Sequence, residues 1–220
     1  MKPGHLPTPT PTIRRLSLYL RQLETALTSD RHTLSSKQLG RTLGLTDAQV
    51  RKDLAHFGQF GQPGVGYRVE ELAERLRHIL GTDKTWNVAL VGAGNLGRAL
   101  LAYRNFEPKG FRLAAAFDTD PQKVGQRVPA LERMTVQPLQ DLAETVERLS
   151  IRLGVICVPA SAAQAVADQL VEAGIRGLLN FAPVALTVPE EVAVVGADLA
   201  LHLEQLAFQV GGSQSPAAPR

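Results

Sequence analysis

Gly92, Gly94 and Gly97 form a Gly-x-Gly-x-x-Gly directly after the apolar run Val88-Ala89-Leu90-Val91 and ahead of a helical pattern opening at Asn95. At such a site Gly92 allows the tight turn, Gly94 lets the backbone approach a pyrophosphate, and Gly97 lets helix and strand pack closely. The helix N-terminus then offers free N–H groups and a partial positive charge to the anion. Alone the spacing is weak. Its weight comes from a second strand ending Ala116-Phe117-Asp118, twenty-one residues past Gly97. A carboxylate there can accept from both adenosine ribose hydroxyls and would repel a 2′-phosphate, which favours NAD(H) over NADP(H). Asp120-Pro121 reads as an N-cap followed by proline at the first helical position, a structural role.

A dinucleotide site would serve an oxidoreductase only with a proton acceptor beside the nicotinamide. Residues 85–220 hold one histidine (His202), one tyrosine (Tyr103) and two lysines (Lys109, Lys123). None makes an acid–base pair, and no stretch is left over for a substrate domain. Cys157 sits among Val155, Ile156 and Val158 and reads as a buried, mid-strand thiol. The second half offers a cofactor site without a reaction.

The first half offers a different surface. On the helix expected over 47–57, Val50, Leu54 and Phe57 define a buried side. Ala48, Lys52 and Ala55 lie opposite, flanked by Gln49, Arg51 and His56. Small residues permit close approach, and Lys, Arg and Gln suit phosphates and base edges. By itself Arg51-Lys52 would be a solvated face. The context changes that reading to a recognition helix in a major groove.

The elements that must position these residues follow from periodicity. Ile13, Leu16, Leu20, Leu23 and Leu27 make one helical stripe. A short helix opens at Ser35 with Gln38 placed for a capping box, and a third at Thr46 with Gln49 in the same position. That is a helix-turn-helix. Four glycines in the nine residues Gly58 to Gly66 then predict a tight hairpin, the wing of a winged helix. Residues 70–80 return to helix, and 81–84 read as a C-cap and linker.

Beyond it strands (86–91, 111–117, 153–158, 177–181, 192–195) alternate with helices (95–105, 139–149, 162–173), which implies βαβ units and a parallel sheet. A last helix, Asp198 to Val210, carries Leu199, Leu203, Leu206 and Val210 on one stripe that needs a cover. The expected division is a tail over 1–12, a winged-helix domain over 13–82, a Rossmann-type α/β domain over 83–197, a dimerisation helix over 198–210 and a second tail over 211–220.

Composition agrees with these assignments. The chain has 220 residues, 44% of them hydrophobic and 20% charged, which is globular. No apolar run is long enough to span a bilayer, so no membrane partner is expected. The N-terminus lacks a secretory signal. One cysteine allows neither an internal disulfide nor a Cys-cluster metal site, so no metal and a reducing, cytoplasmic setting are expected. Residues 1–69 carry ten Lys/Arg against four Asp/Glu, whereas 70–220 carry fourteen against seventeen. The basic end points to an anionic partner.

Taken together, several stretches resemble the Rex family of redox-sensing transcriptional repressors, over about nine-tenths of the chain from Ile13 to Val210. They are Gln49 to Leu54, Phe57 to Gly61, Gly64 to Tyr67, Val91 to Tyr103, Phe117 to Pro121, Lys123 to Gly125 and Asn180 to Val184. The resemblance implies a homodimer that binds a palindromic operator when NAD⁺ prevails and releases it when NADH accumulates. It also implies a last helix that swaps into the partner subunit. Pro63 departs from the family, which commonly has a basic wing residue there. The expected DNA-binding set is Ser36, Lys37, Gln49, Arg51, Lys52, Gly64, Tyr67 and Arg68. The expected NADH/NAD⁺ set is Gly92, Ala93, Gly94, Asn95, Leu96, Gly97, Asp118, Lys123, Ala182 and Pro183. The expected dimer set is Asp198, Leu199, Leu203, Leu206 and Val210. An apolar pocket built from the last helix and the Ala182-Pro183 loop would sense the charge of the nicotinamide ring, since burying a charged ring costs more than burying a neutral one. Two alternatives remain open: a small NAD-dependent dehydrogenase, and a coenzyme A-binding domain of the ligase type.

Overall fold

The computed structural model describes residues 9–62, 64–131 and 134–211. The chain divides between Lys84 and Thr85 into two compact units. In the first, helix α1 (Thr10–Thr28) starts three residues earlier than the tail assignment allows. Pro11 lies in its first turn, where a missing N–H costs nothing and a fixed φ helps. Helix α1 buries Leu16, Tyr19, Leu20, Leu23 and Ala26 in one core with Val69, Leu72, Ala73 and Leu76 of α4 (Val69–Leu80). Ile13 and Leu27 share the stripe yet are exposed. At 1.5 Å per residue α1 spans about 28 Å and α4 about 18 Å, so α1 overhangs its partner.

Helices α2 (Ser36–Thr42) and α3 (Asp47–Ala55) follow as a helix-turn-helix. Ser35 and Gln38 make the full reciprocal capping box. Thr46 caps α3 through the Gln49 N–H, but the return half is absent because the Gln49 side chain donates to Asp53 instead. The glycine-rich segment does turn tightly, closed by two hydrogen bonds between Gln62 and Gly66. Its second arm, β2 (Tyr67–Arg68), pairs antiparallel with β1 (Thr33–Leu34), which precedes α2. A two-residue strand carries no period-two pattern, so β1 has no sequence signal. Pro63 lies outside the described residues, as do the tail residues 1–8 and 212–220.

In the second unit, β3 (Trp86–Val91), β4 (Phe111–Asp118), β5 (Val136–Pro138), β6 (Leu153–Ile156), β7 (Gly177–Asn180) and β8 (Ala193–Gly196) form one parallel sheet in the order β5-β4-β3-β6-β7-β8. That is the doubly-wound order. Its direction reverses between β3 and β6, which opens a crevice at their carboxyl ends. Ala89 and Val91 of β3 enter one core with residues of α6 (Leu142–Arg148) and α7 (Ala160–Glu172). Val88 and Leu90 enter another with Leu101 of α5 (Asn95–Leu101). Both faces are covered, which is why the strand reads as continuously apolar.

Several details differ from expectation. Helix α5 ends at Leu101 rather than Asn105, and the helix expected from Leu139 begins as a 3-10 turn. Asp120-Pro121 opens a turn and not a helix: the Asp120 carboxylate accepts from the Gln122 N–H two residues on, an Asx turn. Strand β5 is short and ends in proline, so no expectation covered it. Cys157 stands one residue past β6, half-buried, with burial pushing its thiol up to about 11. Helix α8 (Leu199–Gly211) closes the described chain and buries none of its residues. Among the described residues no helix is long and apolar enough to cross a membrane.

Candidate functional site

Strand β3 delivers the backbone to Gly92 at φ 102°, where its N–H donates to the Phe117 carbonyl at 2.8 Å. A Cβ on Gly92 would overlap the Cys157 carbonyl, and one on Gly97 would overlap the carbonyl oxygen of Gly92. These two glycines are needed for strand and helix to meet at all. Gly94 is different. Its φ is an ordinary −76° and a Cβ would meet nothing within 4 Å. The fold therefore makes no demand for glycine there, and the open space above it is what a close-approaching pyrophosphate would need. Gly94 is the N-cap of α5 and supplies no side-chain cap to the first-turn N–H groups. Asn95 and Leu96 are exposed beside it, while Ala93 is buried.

Asp118 closes β4 against this turn. Its Oδ2 accepts from the Ala93 N–H at 2.8 Å and from Lys123 Nζ at 3.2 Å, and its Oδ1 accepts from the Asp120 N–H at 2.9 Å. Burial raises the Asp118 pKa, but the two N–H groups and the Lys123 ammonium more than offset it and hold the carboxyl below its ordinary value. The group is ionised at neutral pH, with lone-pair capacity left on Oδ1 for a ribose hydroxyl. Lys123 also pairs with Asp120 at 3.4 Å. A 2′-phosphate would thus meet a carboxylate–ammonium pair, so the discrimination against it is weaker than Asp118 alone implies.

The Ala182-Pro183 loop leaves β7 in a clip that the sequence reading missed. Buried Asn180 donates through Nδ2 to the carbonyls of Ala182 and Val184, at 3.2 and 2.9 Å, and accepts from the Ala182 N–H at 2.9 Å. An asparagine ending an apolar strand was the available signal. Asp198 caps α8, its Oδ1 accepting from the Ala200 and Leu201 N–H groups. The expected stripe Leu199, Leu203, Leu206 and Val210 is exposed, and so are Leu201 and Phe208. At 100° per residue those two lie on the opposite side. The helix is apolar on two faces, not one.

In the first unit, α3 and the glycine turn border a groove of about 660 Å³ whose wall includes Ser36, Arg51, Gly64 and Tyr67. Lys37, Lys52, Gly64 and Arg68 are exposed, and Ala48 and Ala55 leave the face of α3 low. Arg51 is half committed: its guanidinium donates to Asp47 at 2.7 Å and to Ser36 Oγ at 3.2 Å. Tyr67 borders the groove with little of its surface. It is only 7% exposed and belongs to the domain core, because the β1–β2 pairing turns its ring inward.

Beneath Gln49 lies the other residue missed by sequence reading. Asp53 is 3% exposed. Its carboxylate receives Arg15 Nε at 2.5 Å and Arg15 Nη2 at 2.7 Å, the Tyr19 hydroxyl at 2.7 Å and Gln49 Nε2 at 2.8 Å. Burial pushes the Asp53 pKa up, and the bonds from Arg15, Tyr19 and Gln49 pull it further down, to a net value below the ordinary one. A lowered carboxylate stabilises the fold above the unfolded value of about 3.9 and loses that contribution as pH falls through the lower folded value. Urea unfolding of wild type and Asp53→Asn is therefore expected to differ most above about pH 4 and to converge below it. A difference that persists unchanged at pH 2 would contradict this.

The comparisons with known proteins accord with both halves. The family described as "CoA binding domain" matches residues 83–184, and that described as "Putative DNA-binding protein N-terminus" matches residues 8–55. The redox-sensing transcriptional repressor Rex of Syntrophobacter fumaroxidans is 46% identical over 92% of this chain and 95% of its own. That of Carboxydothermus hydrogenoformans is 48% identical over 92% of this chain and 96% of its own. Among solved structures, RSP in complex with β-NAD⁺ and operator DNA has a TM-score of 0.88 and 39% identity, covering 95% of each chain. RSP in complex with β-NADH has a TM-score of 0.84 and 36% identity, covering 95% of this chain and 97% of that one. With near-complete coverage at this identity, the chain belongs to the Rex family of redox-sensing transcriptional repressors.

Proposed function

We infer that this protein binds operator DNA through α2, α3 and the glycine turn, and that NADH bound at the Gly92–Gly97 turn releases it. The observation that carries the reading is Gly94. It is a glycine the fold does not require, set at the mouth of the sheet crevice beside an ionised Asp118. The same chain presents an exposed, basic α3. Gly94, Asn95 and Leu96 would hold the pyrophosphate, and Asp118 the adenosine ribose. When bound, the dinucleotide supplies a signal of one hydride and one ring charge. We assign the sensing of that charge to the clipped Ala182-Pro183 loop and the apolar faces of α8. Palindromic recognition by a single helix-turn-helix needs two copies, and the two-faced apolar α8 is where a homodimer would close. A reducing, cytoplasmic setting fits this role.

Linkage sets the size of the effect. NADH can release DNA only by binding more tightly to the arrangement that does not hold DNA. A 100-fold loss of operator affinity corresponds to about 2.7 kcal/mol. In a titration of the protein–operator complex, NADH is expected to release DNA and excess NAD⁺ to restore it. Lys52→Ala should weaken operator binding by about 1–3 kcal/mol and lower the salt dependence, with NADH affinity unchanged. The match to a coenzyme A-binding family supports a second reading of residues 83–184. Coenzyme A that displaces NADH and itself controls operator binding would favour that reading. DNA binding that ignores the NADH to NAD⁺ ratio would overturn the first.

A further inference from the structure

We propose that Gln49 presents its carbonyl oxygen, and not its amide nitrogen, to the major groove, so that it selects a base whose exocyclic amino group lies in that groove, with Asp53 as the residue that fixes the amide. The inference rests on the reading of α3 as the DNA-reading helix and adds what one of its residues reads. A glutamine amide is ordinarily free to turn over, and its two ends recognise opposite partners. Here one end is settled. An ionised carboxylate can only accept, so the atom 2.8 Å from Asp53 Oδ1 must be Nε2.

Asp53 cannot turn to suit a different amide. Its two oxygens are held by both the Nε and Nη2 of Arg15 and by the Tyr19 hydroxyl, all three donors coming from α1. The anchor therefore belongs to the domain core and exists without DNA. Gln49 itself is fixed at its backbone, whose N–H donates to the Thr46 Oγ1 cap at 3.1 Å. It stands in the first turn of α3, the part of a recognition helix that meets base edges. Its side chain is half-buried, with the nitrogen committed inward. Turning the amide over would set Oε1 against the Asp53 carboxylate and lose a charge-assisted hydrogen bond.

The consequence is a polarity of recognition. In the major groove adenine N6 and cytosine N4 are donors, whereas guanine O6 and N7 and thymine O4 are acceptors. A carbonyl oxygen fixed outward accepts from the first pair and is repelled by the second. Gln49 would thus select adenine or cytosine at one position of each half-site.

The test is selection of binding sites by the full chain from a pool of randomised duplex DNA, compared with the same selection by Gln49→Ala and Asp53→Asn. Wild type should select adenine or cytosine at one position whose preference vanishes in Gln49→Ala, a loss of about tenfold in discrimination there with the other positions kept. Asp53→Asn can donate to Oε1 and so releases the amide; its preference at that position alone should relax. Far-UV circular dichroism and retained preference at the other positions show that it has folded. Should Asp53→Asn fail to fold, Gln49→Ala still decides the polarity. A Gln49-dependent position that prefers guanine or thymine, or a Gln49→Ala profile identical to wild type, overturns the proposal. A folded Asp53→Asn with unchanged discrimination removes Asp53 from it. No sequence preference in wild type would instead overturn the reading of α3 itself.

Discussion

Gly97→Ala is expected to unfold or severely destabilise the α/β unit, whereas Gly94→Ala, three residues away, should leave the fold intact and lose the dinucleotide. The difference lies in what each new methyl meets. At Gly97 it meets the backbone carbonyl of Gly92, which is locked between β3 and α5 and cannot yield as a side-chain tip would. Overpacking of that kind costs at least about 3 kcal/mol, on the order of 10 °C in Tm for a unit of this size. At Gly94 the methyl enters open space at an ordinary φ, so the Tm should hold or rise slightly. The ligand then finds the approach to the backbone filled. Losing charge-assisted hydrogen bonds from the first-turn N–H groups should weaken NADH by about 1.5–3 kcal/mol, roughly ten- to a hundredfold. Thermal unfolding and NADH fluorescence titration of the two variants separate the effects. NADH binding of wild-type strength by Gly94→Ala would remove the pyrophosphate from this turn.

Deletion of residues 198–220 is expected to give single chains or aggregates that bind operator at least about 100-fold more weakly, since half of a palindromic contact is lost. The reason is the apolar character of α8. Leu199, Leu203, Leu206 and Val210 are exposed on one side and Leu201 and Phe208 on the other, Phe208 at 80%. Each such side chain is worth about 1.5–3 kcal/mol when buried, and a helix apolar on two faces needs cover on both. One flat surface would satisfy only the first stripe. Leu203→Glu and Phe208→Glu, on opposite faces, should therefore each disrupt assembly in sedimentation equilibrium. A truncated chain that still sediments as a stable dimer would contradict the assignment, and a dimer indifferent to Phe208→Glu would limit the cover to one face.

Much of this was decided by local sequence. Gly92, Gly94 and Gly97 after an apolar run placed a tight turn between β3 and α5, because strand, turn and helix are contiguous. The Ser35 and Thr46 caps marked α2 and α3 for the same reason: a cap acts within three residues. Asp118 was legible because a fixed strand length sets its distance from the turn.

What the sequence could not decide were contacts that close over long separations. Asp53 looks like one more charge on an exposed helix until α1 brings Arg15 and Tyr19 onto it from 38 and 34 residues away. Only then does Gln49 lose its reciprocal cap and take one orientation. Tyr67 reads as an exposed wing residue, yet the pairing of Leu34 with Tyr67 turns its ring into the core. Lys123 and Asp118 are five residues apart, yet the Asx turn at Asp120 is what folds the ammonium back onto the carboxylate. Periodicity and capping are local and survive in a linear reading. The orientation of an amide, the burial of a ring and the pairing of a charge depend on which distant surface arrives, and the tertiary structure alone supplies that.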